Sequence, residues 1–190
     1  MKQFLSVFII TLFLGFPLPA KEIKANYDID YGSSQIGFAG THAGNEFKGI
    51  FEKWSGNIYF DPDNLEASKA IVFFELGSAV TGNKMYDGTL PKADWFDVEN
   101  HPEGVFESTS FAPDEDGTYK AEGNLSLRGI THPVSFNFGL SDVSNSPVTM
   151  KANFNIDRLQ YEIGKKSDAD AEWVSRDIAL ELTVVATPAN

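Results

Sequence analysis

Three segments in the last third of the chain alternate apolar and polar residues with a period of two. Val, Phe, Phe and Leu occupy every second position of residues 134–140, and residues 150–156 and 178–184 repeat the pattern. This period is that of a β-strand with one buried and one solvated face. The chain is therefore constrained to a fold that is largely β.

Further strands are indicated by apolar runs between clusters of turn-forming residues. We place these strands near residues 26–31, 34–40, 47–60, 69–76, 104–111 and 118–128. Turns are predicted at residues 61–64, 113–117 and 141–147, which are rich in Asp, Asn, Pro, Ser and Gly.

Two segments depart from simple strands. The run 47–60 contains Gly49 and Gly56, where a bend or bulge would relieve curvature. Residues 83–96 show no period of two, and Pro91 cannot sit deep inside a helix. We expect this second segment to form one or two helical turns packed against the mouth of a barrel.

Eight or more short strands within residues 21–190 are typical of a sandwich or a closed barrel. The chain has 16 Phe residues, many of them on different predicted strands. Filling of a solid core would explain them, but a barrel of about eight strands can also enclose one small ligand. Both interpretations remain open from the pattern alone.

The N-terminus resembles a secretory signal. Lys2 precedes an apolar run at residues 4–16, and Ala20 stands before the charged Lys21. A basic start, a short apolar core and a small residue at the end are typical of a cleaved signal peptide. The run is shorter than the roughly 20 residues that span a bilayer. We expect cleavage after Ala20 and one domain at residues 21–190.

Composition narrows the classes of partner. The 15 Lys and Arg face 27 Asp and Glu, a net charge of −12, which disfavours binding to nucleic acid or to anionic membrane surfaces. The absence of Cys excludes disulfides and thiolate sites. An exported, acidic, Cys-free chain fits the bacterial periplasm, without stable membrane insertion.

Candidate catalytic groups are sparse. His42, His101 and His132 have no spacing that would place two of them on one face, which argues against a metal site. Asp94 and Asp97 stand beside two aromatic residues, and a docked aromatic pair explains this motif better than acid–base chemistry does. Arg158 would either bind a polar headgroup or pair with Asp157 or another acid. The sequence therefore predicts no enzyme and no cofactor.

Motifs along most of the chain resemble the YceI family of periplasmic, lipocalin-like polyisoprenoid-binding proteins. The matching pieces are residues 27–30 (YDID), Phe38, residues 42–44 (HAG), Gly49, Phe51, residues 94–97 (DWFD), residues 106–108 (FES), residues 123–134 (GNLSLRGITHPV), Arg158, Tyr161 and residues 163–164 (IG). They occur in the family's order between about residues 26 and 186. Ser33, Gln160 and Glu162 stand where the family often has His, an acidic residue and Gly.

The resemblance implies an eight-stranded antiparallel lipocalin-like barrel around an elongated apolar tunnel. The implied ligand is an isoprenoid, such as a polyprenol or an isoprenoid quinone, or another long amphiphile. From the strand alternation we expect the tunnel lining to include Phe38, Phe51, Phe74, Phe106, Phe136, Phe138, Met150, Phe154, Leu180 and Leu182. Trp95 and Phe96 would close the mouth, with Arg158 available to a headgroup.

The leading hypothesis is thus a periplasmic binding or carrier protein for an apolar lipid. Two alternatives remain: a ligand-free structural or stress-response barrel, and a metal-dependent enzyme using His42, His132 or Arg158 near the barrel mouth. Exposed strand edges also leave a homodimer open.

Overall fold

The structure, a computed structural model, describes residues 25–141 and 146–189. The predicted signal peptide and part of the predicted turn at residues 141–147 lie outside the described residues. The described strands are β1 (Tyr27–Ile29), β2 (Gln35–His42), β3 (Asn45–Phe51), β4 (Trp54–Tyr59), β5 (Lys69–Glu75), β6 (Ala79–Val80), β7 (Glu103–Pro113), β8 (Tyr119–Leu127), β9 (Ile130–Ser141), β10 (Val148–Asp157) and β11 (Asp177–Pro188).

Helical structure is confined to short pieces in the described residues. The α-helix α1 spans Lys84–Asp87, and 3-10 turns occupy Leu65–Ala67, Leu76–Ser78, Glu115–Gly117 and Arg158–Tyr161. The Asn83 side chain caps α1 by accepting from the Met85 N–H at 3.0 Å. The expected helical turn in residues 83–96 is therefore present. Within the described part of the chain, no helix is long and apolar enough to cross a bilayer.

All strand pairs are antiparallel and form one sheet. The order is β4-β5-β7-β8-β9-β10-β11-β2-β3-β6, and β1 pairs with the end of β11. Because β3 and β4 are consecutive in the chain yet lie near opposite ends of this order, the sheet curls into a barrel. Asn26 links the edge strand β4 to the residue that follows β11. Its N–H donates to the Ile58 carbonyl at 3.0 Å, and its carbonyl accepts from the Ala189 N–H at 2.9 Å.

The predicted lipocalin-like barrel is confirmed, with a different strand count. The expected single strand at 47–60 is interrupted at Glu52 and Lys53, between Gly49 and Gly56, so it counts as β3 and β4. The short strand β6 was not predicted, and β1 has three residues. Joining β3 to β4 and setting these two aside leaves eight long strands from the eleven observed.

Two apolar clusters line the two ends of the barrel interior. The first contains Phe38, Phe51, Phe74 and Phe96, beneath the segment that follows α1. The second is built around Phe60, with Phe136 and Phe138 among its members. Phe106, Phe154 and Leu182 pack against both clusters and so join the two ends.

Candidate ligand cavity

An apolar cavity of about 210 Å³ lies inside the barrel, and members of both clusters form its wall. Its wall draws residues from the long strands, from the segment after α1 and from residues 158–174. Among the described residues, Arg158 is the single charged member of the lining. An apolar molecule can therefore bind in the cavity at no cost in hydrogen bonds, whereas a polar molecule would lose its hydrogen bonds to water.

The residues predicted for the tunnel all lie on this wall. The alternating faces of β2, β3, β5, β7, β9, β10 and β11 turn ten of them inward, because successive side chains of a strand point to opposite sides. These ten and the three from the loops are Phe38, Phe51, Phe74, Trp95, Phe96, Phe106, Phe136, Phe138, Met150, Phe154, Arg158, Leu180 and Leu182. That they contact a ligand stays a prediction.

Aromatic rings form two bands along the wall. In the first, Phe51 lies between Phe38 and Phe74, with ring centroids 5.3 and 4.9 Å away. In the second, Phe136 contacts Phe106 at 5.5 Å and stacks on Phe154 at 4.4 Å with an angle of 8°. Such ring pairs contribute to stability beyond the burial of their apolar surface, so the two bands stabilise the cavity wall.

The segment after α1 is held over one end of the cavity. Asp94 accepts from the backbone N–H groups of Lys166 and Ser167, each at 2.9 Å, and from the Ser167 hydroxyl at 2.6 Å. Burial acts to raise the pKa of Asp94, but these bonds and, to a smaller extent, Arg128 outweigh it and hold the pKa below its ordinary value. The neighbouring Trp95 is thereby fixed on the cavity wall.

Arg128 provides a second attachment for this segment. Its Nη2 donates to the Ala93 carbonyl at 2.9 Å, and its Nη1 donates to the Glu162 carbonyl. The loops that contain Trp95 and Arg158 are thus tied to the turn between β8 and β9, and this end of the barrel is a connected unit.

Arg158 is buried in a network of internal hydrogen bonds. Only 1% of the residue is exposed, and its Nη2 lies 2.7 Å from Asp168 Oδ2. Its Nε donates to the Ser175 carbonyl at 3.0 Å, and its Nη1 donates to the Ile163 carbonyl at 2.7 Å. The structural pairing weighed for Arg158 is present, with Asp168 as the acid, while Asp157 pairs with Arg176.

The carboxylate of Asp168 is equally well held. Burial acts to raise its pKa, but N–H groups of Val174 and Trp173 and the Arg158 guanidinium outweigh this effect and lower the pKa below its ordinary value. Burial lowers the pKa of Arg158, with Asp168 opposing the change, and an arginine stays protonated. The pair is a charged structural tie, and its nitrogens are engaged by the protein rather than aimed at the cavity.

His42 and His132 have separate partners within the protein. His42 shares a hydrogen bond of 3.1 Å with the Tyr86 hydroxyl, and His132 lies 3.2 Å from the Gln160 carbonyl and edge-on to Tyr161. Within residues 25–141 and 146–189 no group of three or more His, Asp or Glu side chains is arranged to hold a metal.

Sequence reasoning missed parts of the lining and of the supporting network. Phe47, Trp54, Ile58 and Phe111 also line the cavity, on the same predicted strands as Phe51 and Phe106. Phe47 alternates with Phe51 and could have been found. The break at residues 52–53 and the register shift between Ser108 and Ser110 change which positions face inward, so alternation did not indicate the other three. Asp168 had no such signal, because the loop of residues 162–176 has no regular period.

One antiparallel sheet curled around an apolar interior is the architecture of a lipocalin-like barrel. The YceI-like domain family matches residues 27–186, which is most of the chain. The chain belongs to the YceI-like domain family. Curated relatives include a UPF0312 protein of Vibrio parahaemolyticus, 29% identical over 75% of this chain and 77% of the relative. A UPF0312 protein of Photorhabdus laumondii is 33% identical over 66% of each chain.

Solved structures share the fold. BcnA of Burkholderia cenocepacia superposes with a TM-score of 0.79 at 24% identity, over 84% of this chain and all of that chain. A polyisoprenoid binding domain from Saccharophagus degradans, implicated in plant cell wall breakdown, gives 0.69 at 15% identity, over 87% of this chain and 99% of that chain. These similarities show a common architecture.

Proposed function

We propose that this barrel binds a long apolar lipid, an isoprenoid chain such as a polyprenol or an isoprenoid quinone, and carries it through the periplasm. The observation that supports this proposal is the cavity itself, whose wall is apolar apart from Arg158. Because Arg158 is engaged by Asp168 and by backbone carbonyls, recognition rests on the chain of the ligand rather than on a charged headgroup.

Burial of hydrocarbon supplies the driving force. Removing on the order of 500 Å² of apolar surface from water contributes about 12 kcal/mol at about 25 cal/mol per Å², before the cost of association. This burial is the driving force available for holding a water-insoluble lipid without a covalent bond or a metal.

The cavity volume places a condition on binding. About 210 Å³ is smaller than the roughly 300–1,000 Å³ of typical ligand pockets, so a long chain requires wall side chains to rotate. Met150, Leu180 and Leu182 are only partly buried and line the cavity. The flexible thioether chain of Met150 is suited to adapt to an entering ligand.

The comparisons support the same proposal. The Saccharophagus degradans neighbour is described as a polyisoprenoid binding domain and has the same barrel. We therefore take binding rather than catalysis as the function, and the periplasm, after removal of residues 1–20, as its place of action.

Native mass spectrometry of protein taken from the periplasm tests this proposal. We expect the mass of residues 21–190 with a stoichiometric lipid, identified after solvent extraction as a prenyl compound; the same spectrum reports whether a homodimer forms. A ligand-free mass that persists after incubation with prenyl alcohols would overturn lipid binding and favour a barrel with a filled core. A retained N-terminal segment would overturn the proposed cleavage.

A further inference from the structure

Three phenylalanine rings on the cavity wall lie directly over glycines of neighbouring strands. Phe38 on β2 pairs with Gly49 on β3, and Phe74 on β5 pairs with Gly104 on β7. A Cβ built on Gly49 would stand 2.3 Å from Phe38 Cζ, and one on Gly104 would stand 2.3 Å from Phe74 Cε2. Neither ring could keep its position over an alanine, because carbon atoms in contact lie about 3.5–4.0 Å apart.

The third pair is diagonal. Phe106 on β7 pairs with Leu125 on β8, and its ring reaches back over Gly123. A Cβ added to Gly123 would stand 2.5 Å from Phe106 Cε2 and 2.6 Å from the Glu107 carbonyl oxygen, so the test variants are made at the other two glycines. Gly123 is on the same face as Ala121 and Leu125, which both line the cavity. All three glycines therefore leave a gap on the inner surface that a ring fills.

These gaps determine how far the rings project. A phenylalanine beside a residue with a side chain must stand up from the sheet, whereas one beside a glycine can lie along it. Phe38, Phe74 and Phe106 thus cover the backbone while leaving the centre of the barrel open.

We infer that Gly49, Gly104 and Gly123 determine the width of the cavity and thereby select a methyl-branched chain over a straight one. This inference rests on the proposed lipid-binding function and adds the residues that set its specificity. An isoprenoid has a wider cross-section than an unbranched hydrocarbon, because it carries a methyl group on every fourth backbone carbon. Narrowing the cavity should therefore penalise the branched chain first.

Gly49→Ala and Gly104→Ala are the test variants. Binding of a tetraprenyl alcohol and of a straight-chain alcohol of equal backbone length is measured for each by fluorescence titration. We expect the preference for the prenyl alcohol to fall by roughly tenfold or more, which is the discrimination that a methylene-sized change of space gives in an apolar site. Affinity for the straight chain should change less.

Two further variants separate cavity width from general damage to the fold. Gly139→Ala on β9 is the matched control, because its added Cβ would meet nothing within 4 Å and its neighbours Phe138 and Leu140 are the residues that face the cavity. Gly139→Ala should keep the wild-type preference. Phe38→Leu added to Gly49→Ala removes the crowded ring edge and should restore part of the preference for the prenyl chain.

The outcomes distinguish the two ideas. Wild-type protein that binds neither alcohol would overturn the proposed function. Wild-type protein that binds both, with the same preference in the folded Gly49→Ala, Gly104→Ala and Gly139→Ala variants, would overturn the role of the glycines and leave the function standing. Equal losses of affinity for both alcohols would also overturn the selection by width.

Discussion

The carboxylate Oδ2 of Asp168 lies 2.7 Å from Nη2 of Arg158, and both side chains are almost fully buried. The guanidinium carbon of Arg158 also lies 5.8 Å from the centroid of the Trp95 ring. A charged pair is therefore built into the wall at one end of an apolar cavity, where it holds the loop of residues 158–174 against the barrel.

Asp168→Asn should destabilise the protein by about 3–5 kcal/mol. The variant leaves the charge of Arg158 buried without its carboxylate, and an unpaired buried charge is costly. Chemical denaturation measures the free energy of unfolding. Asp170→Asn, at an exposed position of the same loop, is the control and should change it little. Equal stability of the two variants would show that the ion pair of Arg158 and Asp168 contributes nothing to the free energy of unfolding.

Low pH should reduce the free energy of unfolding through protonation of the same carboxylate. Because the folded pKa of Asp168 lies below its ordinary value of 3.8, its contribution to stability is full above about pH 4 and is lost as the pH falls through the folded pKa. The unfolding free energy of wild type should therefore drop more steeply between pH 4 and lower values than that of Asp168→Asn, to an extent set by the lowered pKa.

Other carboxyls with a lowered pKa are retained in both proteins of that comparison, so the difference isolates Asp168. They are Asp30, Asp87, Asp94 and Glu122. Parallel pH profiles for wild type and variant would contradict the assignment.

Tyr161 should ionise late in alkaline solution. Burial raises its pKa to about 12, against about 10 for an exposed phenol. Since the raised pKa belongs to the folded state, stability should be lost as the pH rises from about 10 towards 12, where the unfolded chain ionises first. An absorbance titration should show one late tyrosine that disappears in Tyr161→Phe. Loss of an ionisation at about pH 10, with the late ionisation retained, would contradict the raised pKa of Tyr161.

The stacked rings of Phe136 and Phe154 should be energetically coupled. Each substitution by Ala removes a large apolar side chain, and we expect losses near 3–5 kcal/mol for the buried Phe136 and somewhat less for the half-buried Phe154. A double-mutant cycle should give a coupling of about 0.5–1.5 kcal/mol, since the centroids are 4.4 Å apart. A cycle of Phe136→Ala with the exposed Met85→Ala should give none.

Ligand binding should be visible in tryptophan fluorescence. Trp54 and Trp95 line the cavity, whereas Trp173 is 60% exposed and is not part of the lining. Adding a prenyl alcohol should shift the emission of wild type and of Trp173→Phe to the same degree, and the shift should shrink in Trp95→Phe. A shift lost with Trp173 would place binding on the outer surface.

The local alternation of apolar and polar residues is sufficient to predict the strands and much of the cavity wall. Phe136, Phe138, Leu180 and Leu182 were assigned to the inner face because a period of two is a property of neighbouring residues and needs no knowledge of partners. Gly49 and Gly56 also indicated that the strand at 47–60 is interrupted. They did not indicate that the break falls at Glu52 and Lys53.

Local patterns in the chain are thus enough to establish a β-rich fold, many of its inward-facing aromatic residues and its membership of a barrel family. The pairing of Asp168 with Arg158, the position of Phe38 over Gly49 and the open volume of about 210 Å³ emerge only once the chain is folded. These features depend on the register between strands and on the path of irregular loops. Both are set by contacts between residues far apart in the chain, which a local pattern does not encode.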